Sequence, residues 1–260
     1  MPEDFLQLHL KALPYFRALL RSIEATFYQD LELPSPILDM GCGDGHFGSV
    51  TFDRKIDIGV DPDLPSLQEA QTRQAYHSLI QSDGAILPLP AGSIASAFSN
   101  SVLEHIPHLD RVLAELGRVM RTGAPLVFTV PNPGYRSELS FPRWLTRMRL
   151  PGLAERYTEW FMRMSRTWNM FYEPGWQERL QTAGFEIERT FRYFSPRALS
   201  VLEWGHYFGA PTLLPRKLTG RWIIAPTNWN LALTDRIVRQ YYEEPRTEHG
   251  TYSFYLARRI

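Results

Sequence analysis

A glycine-rich stretch near the start of the chain places the strongest constraint on how this sequence can fold. Ile37 and Leu38 have the apolar character of a buried strand, and glycines follow at alternate positions, Gly41, Gly43 and Gly45. Glycine has no Cβ, so the backbone of such a turn can approach a ligand closely. A helix that begins directly after the turn would aim its free N–H groups at that ligand. The stretch therefore predicts a strand, a tight turn and a helix at a binding site.

The spacing of these glycines differs from that of the dinucleotide-binding fingerprint. The fingerprint has the form G-x-G-x-x-G, whereas this chain has G-x-G-x-G and carries His46 where the last glycine would stand. A nicotinamide-dependent oxidoreductase is therefore disfavoured, although it stays open as an alternative. A tight turn that binds no ligand is the other interpretation of three glycines taken alone.

Acidic and polar residues follow the next three predicted strands. The second strand, 55–61, ends at Asp61; Asp83 follows the third strand, and Asn100 lies at the end of the fourth. In nucleotide-binding α/β units, an acid about 20 residues beyond the glycine turn accepts hydrogen bonds from ribose hydroxyls. Because ligands in such sheets bind outside the carboxyl ends of the strands, we expect these side chains to converge with the glycine turn.

Strands alternate with helical patterns from 37 to 132, which predicts a parallel sheet joined by right-handed crossovers. Helices are predicted over 64–76 and 109–120. Before the first strand, helical spacing from 3 to 30 predicts two helices separated at Pro14.

The ordered motifs resemble those of the class I S-adenosylmethionine-dependent methyltransferases. They are closest to the broad methyltransferase type 11 group that includes the ubiquinone-biosynthesis C-methyltransferases. That group has D-x-G-C-G-x-G, an acid closing the second strand, D-A-x-x-L-P, V-L-E-H and R-V-L-x-P-G-G. This chain has D-M-G-C-G-D-G from Asp39, then Asp61, D-G-A-I-L-P from Asp83, V-L-E-H from Val102 and R-V-M-R-T-G-A from Arg118. The departures from the pattern are Gly84, Met120, Thr122 and Ala124.

The resemblance, which covers 34–132, implies an α/β fold: a Rossmann-like seven-stranded methyltransferase sheet with helices on both faces. To this we add a helical, aromatic-rich lid, for which we predict one or two helices over 134–172. The resemblance also implies S-adenosylmethionine as the cofactor and methyl transfer as the reaction. Because the sulfonium methyl is already electrophilic, such an enzyme mainly aligns the acceptor and excludes water. No metal is expected, since the sequence has neither C-x-x-C nor H-E-x-x-H.

The resemblance assigns cofactor-binding roles along the carboxyl edge of the sheet. The glycine turn would lie against the methionine part, Asp61 would accept from the ribose hydroxyls, and Asp83 would accept from the adenine amino group. Asp39 would order the turn or act through water on the ammonium group. The predicted cofactor-binding residues are Asp39, Gly41, Cys42, Gly43, Gly45, Asp61, Pro62, Asp83, Gly84, Ala85, Asn100, Ser101 and Val102.

His105 is the candidate catalytic base, because it follows the fourth predicted strand near the expected position of the methyl group. V-L-E-H occurs in relatives that have different acceptors, which favours a role in structure or cofactor positioning. A base is needed only when the acceptor must lose a proton. The weaker acid–base candidates are His46, His108, Tyr135, Tyr172 and Glu173.

We predict three consecutive segments: 1–133 as N-terminal helices and cofactor-binding core, 134–183 as a lid or acceptor insertion, and 184–260 as the rest of the sheet with an inserted helical cap. Residues 1–140 carry 10 Lys and Arg against 17 Asp and Glu, whereas 141–260 carry 18 against 11 and all seven tryptophans. The stretch 141–172 holds six arginines, two glutamates and eight aromatic residues. It predicts a cover over an amphiphilic acceptor with weak peripheral membrane contact. An ordinary cover with a solvated basic face is the alternative.

Composition narrows the remaining function classes. A net charge of zero and only a faint N-P-P-Y-like match argue against nucleic acid as a partner. The single cysteine, Cys42, excludes an internal disulfide framework and predicts a reducing, cytoplasmic location. The predicted acceptor is a small molecule or an amphiphilic compound, lipid-like or a glycoconjugate. A non-catalytic S-adenosylmethionine-binding module stays as an alternative, and the sequence gives no indication of oligomeric state.

Overall fold

A seven-stranded sheet with the order β3-β2-β1-β4-β5-β7-β6 forms the framework of the computed structural model, which describes residues 3–244 and 246–260. The first five strands pair in parallel, and β7 runs antiparallel to β5. This arrangement confirms the predicted Rossmann-like seven-stranded sheet. The strands are β1 (Ile37–Met40), β2 (Ile56–Asp61), β3 (Tyr76–Gln81), β4 (Ser96–Asn100), β5 (Pro125–Pro131), β6 (Phe185–Tyr193) and β7 (Tyr252–Arg259).

Twelve α-helices occur in the part of the chain that the structure describes. Pro14 separates the first two, as the sequence predicts. No helix among the described residues is both long and apolar enough to cross a membrane. The helices are α1 (Phe5–Leu10), α2 (Tyr15–Thr26), α3 (His46–Thr51), α4 (Leu64–Arg73), α5 (Leu109–Val119), α6 (Gly134–Ser137), α7 (Ser140–Arg147), α8 (Pro151–Ser165), α9 (Glu173–Thr182), α10 (Pro196–Phe208), α11 (Leu213–Thr219) and α12 (Asn228–Tyr242).

Two local predictions are wrong. The helix predicted over 64–76 ends at Arg73, because Gln74 adopts a left-handed conformation with φ 54° that stops the helix. Tyr76 then begins β3 instead of ending a helix. The stretch 134–172, for which we predicted one or two helices, contains α6, α7 and α8.

The described residues form two compact units, each built from separated pieces of chain. The sheet unit comprises Leu31–Pro133, Phe161–Phe191 and Tyr252–Ile260. The helical unit comprises the N-terminal residues to Asp30, Gly134–Trp160 and Arg192–Thr251. The three consecutive segments named above stay a prediction about function, since compactness does not assign a role to a segment.

The core of the sheet unit lies where α5 and α9 pack onto the central strands. Helix α5 buries Val112, Leu113 and Leu116 completely, which is the apolar face that its spacing predicts. Trp176 of α9 lies against the ring of Phe128 on β5, with 5.0 Å between ring centroids. Each such buried side chain contributes about 1.5–3 kcal/mol, so the core holds the strand ends in fixed positions.

A buried carboxylate organises the helical unit. Glu203 of α10 is fully buried and accepts hydrogen bonds from the Ser140 N–H and hydroxyl, both at 2.6 Å. It also accepts from the Phe141 N–H at 3.2 Å and from the Tyr157 hydroxyl at 3.0 Å. Because the first N–H groups of a helix lack partners within it, Glu203 acts as the N-cap that α7 does not supply itself.

Candidate functional site

The glycine turn after β1 has a backbone that side chains would disturb. Gly41, Gly43 and Gly45 have φ angles of 84°, 53° and 71°, in the left-handed region that glycine tolerates best. A Cβ on Gly41 would lie 2.3 Å from a methyl carbon of Val102, so a side chain does not fit there. At Gly43, by contrast, no atom of the described residues other than Gly43 and its two chain neighbours lies within 4 Å of a Cβ position. The turn therefore opens at Gly43 onto space that a ligand can occupy.

Backbone hydrogen bonds fasten this turn to the end of β2. The N–H groups of Gly41 and Cys42 both donate to the carbonyl of Val60, at 2.8 and 2.9 Å. The Gly43 N–H donates to Oδ2 of Asp61 at 2.9 Å. Asp61, which ends β2 as predicted, thus lies directly beside the open position of the turn.

The environment of Asp61 suits a hydrogen-bond acceptor. Its Oδ1 accepts from the Asp63 N–H at 2.9 Å, and each carboxylate oxygen has a further lone pair for a ligand hydroxyl. Burial raises the pKa of Asp61; two backbone N–H donors oppose this shift, and the charges of Asp63 and Asp44 add to it. Pro62 follows as an exposed residue whose carbonyl accepts from the Gln81 side chain at 3.1 Å.

Asp39 is buried within β1 and accepts a hydrogen bond from the Tyr76 hydroxyl at 2.6 Å. Burial, with Asp39 next in importance, raises the pKa of Tyr76 well above its ordinary value. This contact favours the ordering role proposed for Asp39 over an action on the ammonium group. Sequence reasoning does not predict this pair, because the apolar spacing of 64–76 places Tyr76 in a helix.

Cys42 lies buried in the turn, and its chemistry argues against a nucleophilic role. Burial raises the pKa of its thiol, and the nearby carboxylates of Asp39, Asp61 and Asp44 raise it further. A thiol in such surroundings stays protonated and unreactive. Cys42 therefore serves as a small buried residue of the turn.

The segment after β3 forms a tight turn at the same edge of the sheet. Asp83 is exposed, and its Oδ1 accepts from the Ala85 N–H at 3.0 Å. Gly84 has φ 81°, and a Cβ there would lie 2.9 Å from the Met40 sulfur. The conformation and this close approach together explain why glycine stands where the resembling family usually has alanine.

The end of β4 is bonded to β5. The Asn100 side chain is buried and its Oδ1 accepts from the Thr129 hydroxyl at 3.0 Å. The Ser101 N–H donates to the Thr129 carbonyl at 3.0 Å, and Ser101 has φ 52°. This turn brings Val102 against Gly41, so the structure joins the fourth strand to the glycine turn through apolar contact.

His105 ends a short 3-10 turn, 103–105, and binds a neighbouring loop of the sheet unit. Its Nδ1 lies 3.0 Å from the Arg166 carbonyl, which can only accept, so Nδ1 carries the hydrogen. Its Nε2 lies 3.7 Å from Oε1 of buried Glu104. Both nitrogens thus face groups of the protein, an arrangement that positions the turn.

Two residues that sequence reasoning missed stabilise the turn that contains His105 and the glycine turn. The Asn169 side-chain amide donates to the carbonyls of Leu103 and Ile106, at 2.9 and 2.7 Å. Arg73 donates from Nε to the Asp44 carbonyl in the glycine turn at 2.7 Å. Both donate to backbone carbonyls, which have no sequence signature, so these contacts are seen only in the structure.

The weaker acid–base candidates lie in varied settings. His46 begins α3 and is buried, whereas His108 precedes α5 and is exposed. Tyr135 is buried in the helical unit, while Tyr172 and Glu173 are exposed at the start of α9. Within residues 3–244 and 246–260, no group of three or more His, Cys, Asp or Glu is placed to hold a metal ion.

Comparison with known proteins places the chain in a family. A family described as a methyltransferase domain matches residues 12–190. A malonyl-(acyl-carrier protein) O-methyltransferase from Pseudescherichia vulneris is 33% identical over 107 residues, 41% of this chain and 43% of that protein. A probable S-adenosylmethionine-dependent methyltransferase from Mycolicibacterium smegmatis is 26% identical over 177 residues, 65% of this chain and 59% of that one. The chain therefore spans about half the length of these curated relatives.

The fold has a solved counterpart. The S-adenosylmethionine-dependent methyltransferase of Thermotoga maritima, a possible histamine N-methyltransferase, superposes with a TM-score of 0.56 and 16% identity, covering 95% of this chain and 91% of that one. At that identity the likeness concerns the fold. Since the family match extends over more than half of the sequence, the chain belongs to the methyltransferase domain family and has the class I S-adenosylmethionine-dependent methyltransferase fold.

Proposed function

We propose that this chain is an enzyme that transfers the methyl group of S-adenosylmethionine to a small-molecule or amphiphilic acceptor. The observation that carries the proposal is the glycine turn, which is open at Gly43 and hydrogen-bonded there to the Asp61 carboxylate. A ligand at Gly43 would lie beside the Asp61 carboxylate, which can accept hydrogen bonds from ribose hydroxyls. The geometry fits the cofactor of this class of protein.

The charge around the turn favours a cationic ligand over a dinucleotide. Asp39 and Asp61 lie close enough to raise the pKa of the Cys42 thiol, and Asp63 adds to the field at Asp61, whereas Asp44 is ion-paired with Arg73 at 3.4 Å. The sulfonium and ammonium of S-adenosylmethionine are attracted by these carboxylates, whereas the pyrophosphate of a nicotinamide dinucleotide is repelled. This supports the methyltransferase over the oxidoreductase alternative.

In this mechanism the protein supplies position more than chemistry. When bound, S-adenosylmethionine supplies an electrophilic methyl group. Asp61 holds the ribose, the glycine turn permits close approach of the backbone, and Asp39 with Tyr76 fixes the turn. Alignment and exclusion of water then carry the rate.

The acceptor class is supported by a groove within the helical unit. The groove has a volume of about 540 Å³ and mainly apolar walls, with one guanidinium, that of Arg197, among its lining groups. An apolar chain with an anionic head group matches this combination. The lining residues are Tyr15, Arg197, Ser200, Val201, Trp204, Thr234, Ile237, Val238 and Tyr241.

Two acceptor chemistries deserve testing. The name of the P. vulneris relative suggests a carboxylate oxygen, whereas the motif resemblance to ubiquinone-biosynthesis enzymes suggests a carbon. A carboxylate is already ionised, while a carbon acceptor must lose a proton to a base. The lid role of 134–183 and a cytoplasmic location stay predictions, and membrane contact by the lid is one outcome of the vesicle test.

The experiment is transfer of a radioactive methyl group from S-adenosylmethionine into cell extract, followed by partition between water and organic solvent. We expect label in the organic phase, and we expect a Gly43→Val variant to give none. Label confined to water would favour a small polar acceptor. Absence of transfer by a parent protein that binds S-adenosylmethionine would favour the non-catalytic binding module.

We expect His105→Asn to lower this transfer only modestly, because an asparagine amide can still donate a hydrogen bond in the turn. His108→Asn is the matched control, an exposed histidine three positions away. A loss of about a thousandfold with unchanged S-adenosylmethionine affinity would contradict the positioning role. It would instead indicate general-base catalysis, which contributes about 10²–10⁴-fold.

We also expect acid to weaken S-adenosylmethionine binding. Ribose hydroxyls bind a carboxylate more strongly than a carboxylic acid, so the affinity falls as Asp61 becomes protonated. Because burial raises its pKa, the fall should occur above the ordinary aspartate value of 3.8. Calorimetric titration at decreasing pH measures this; an affinity that stays constant down to that value would contradict the role of Asp61.

A further inference from the structure

Helix α12 presents an apolar stripe to solvent. Trp229, Leu233 and Ile237 follow one another at intervals of four residues, so they lie along one face of the helix. Their side chains are 81%, 70% and 51% exposed. The same helix buries Leu231 and Val238, so it already has an inward face. A surface helix is normally polar on the side away from the core, and the stripe is therefore unexplained by folding.

Helix α11 and the chain around it add to this apolar exposure. Leu214 and Leu218, also four residues apart, are 63% and 74% exposed. Phe208 at the end of α10 and Ile224 in the loop before α12 are likewise exposed. Soluble monomers seldom expose so many large apolar side chains in one stretch unless the surface binds something.

The net charge of residues 208–237 is positive. The sequence has no Asp or Glu from 204 to 234, while it has Arg216, Lys217 and Arg221. Asp235, the one acid of 208–237, bonds to Arg239 at 2.9 and 2.5 Å and is followed by Arg236. The stretch therefore offers cations and apolar groups together.

Tryptophan adds a feature typical of membrane interfaces. The Arg216 guanidinium lies over the ring of Trp222, 5.7 Å from its centroid, and Trp229 stands at the start of the apolar stripe. Tryptophan rings collect at the level of lipid head groups, where an apolar body and a polar N–H both find partners.

We propose that the segment 208–237, hereafter the docking segment, binds the surface of an anionic lipid bilayer. Its cations meet the phosphate head groups, while the leucine, isoleucine and tryptophan side chains enter the boundary between head groups and acyl chains. A second copy of the chain is disfavoured as the partner, because it would bring the same cations against themselves. A partner with a polar, hydrated surface is also disfavoured, because it would leave the apolar stripe in contact with water.

Docking would bring the acceptor groove of the helical unit to a source of amphiphiles. Ile237 belongs both to the apolar stripe and to the wall of that groove. The docking proposal does not rest on methyl transfer, and vesicle binding is measured without any acceptor. The two proposals can therefore fail separately.

The test is sedimentation of the full chain with phosphatidylcholine vesicles that either contain or lack phosphatidylglycerol. We expect binding to the anionic vesicles alone, weakening as salt is raised. In Arg216→Gln/Lys217→Gln/Arg221→Gln, we expect roughly a hundredfold weaker binding, from about fivefold per cation. Equal binding of this variant and the parent would overturn the proposal.

The apolar part is tested by Trp229→Ser/Leu233→Ser/Ile237→Ser. Because these side chains are exposed, we expect the melting temperature of the variant to stay close to that of the parent. We expect its vesicle binding to fall at least tenfold, since apolar surface is no longer removed from water. Unchanged binding would overturn insertion of the stripe.

The matched control removes three exposed arginines from the predicted lid, as Arg147→Gln/Arg149→Gln/Arg156→Gln. We expect it to bind anionic vesicles as the parent does. A loss equal to that of the docking-segment variant would assign membrane contact to the lid or to net charge, and would overturn the proposal. Sedimentation velocity tests the alternative that the stripe binds a second copy of the chain. That alternative would hold if the parent formed a dimer and did not bind vesicles, and if the serine variant were a monomer.

Discussion

Gly43→Val should abolish detectable binding of S-adenosylmethionine and leave the protein folded. Apart from Gly43 itself and its two chain neighbours, no atom of the described residues lies within 4 Å of a Cβ on Gly43, so the Cβ of the new side chain fits without a clash. It would instead occupy the open space of the turn where the proposed ligand must lie. This space is beside the Gly43 N–H, which donates a hydrogen bond to Asp61. The φ of 53° costs a β-branched residue about 1–2 kcal/mol, which a domain of this size can absorb.

The matched control is Gly92→Val. Gly92 has φ 60° and similarly open surroundings, yet it lies in the turn before β4 and away from the glycine turn in sequence. Both variants should show a melting temperature lowered by about 2–8 °C, and the control alone should bind S-adenosylmethionine normally. Undiminished binding by Gly43→Val in calorimetric titration would show that the turn does not cradle the ligand. Equal loss in both variants would assign the effect to strain.

Asp61→Ala should weaken S-adenosylmethionine binding by about 10- to 100-fold. The substitution leaves the ribose hydroxyls without their acceptor, and a hydrogen bond to a charged group contributes about 1.5–3 kcal/mol. It also removes the hydrogen bond from the Gly43 N–H to the Asp61 carboxylate, so the turn loses a contact that fixes its shape. Calorimetric titration of parent and variant gives the ratio directly.

Asp63→Ala is the control for this substitution. Asp63 lies two positions on, and its carboxylate accepts from the Ser66 N–H at 3.0 Å as the N-cap of α4. Its removal should cost about 1 kcal/mol of stability and little S-adenosylmethionine affinity. If Asp63→Ala weakened binding as much as Asp61→Ala, the loss would reflect local unfolding, and the proposed ribose contact would be wrong.

The sequence predicted the sheet because the strand-to-helix periodicity and the polar strand ends agree with one another. Asp61 lies at the end of β2 and Asn100 at the end of β4, as their positions after apolar runs indicated. The glycine turn was predictable because its glycines are visible in the sequence. The structure requires them there, since the turn has positive φ angles and Val102 closely approaches Gly41.

The side-chain contacts that support the site were beyond prediction. Tyr76 reaches Asp39 across 37 positions of sequence, and Asn169 reaches the carbonyl of Leu103 across 66. Such pairs depend on which strands become neighbours, and local periodicity carries no information about that. The stop of α4 at Gln74 was missed because a left-handed glutamine lacks the usual glycine signal.

The helical unit was the least predictable part. The cap that Glu203 gives to α7 joins residues about 60 positions apart and leaves no local pattern. The apolar stripe on α12 was also hidden, because its residues have the spacing of an ordinary buried face. Only their exposure in the structure distinguishes a docking surface from core packing.

The central claim, that the glycine turn and Asp61 bind S-adenosylmethionine, is tested most directly by titrating the parent protein in a calorimeter. S-adenosylmethionine, S-adenosylhomocysteine and the nicotinamide dinucleotides are the ligands. We predict one site for each of the first two and no binding of the dinucleotides, because the carboxylates around the turn repel a pyrophosphate. Tight binding of a dinucleotide together with no binding of S-adenosylmethionine would contradict the account.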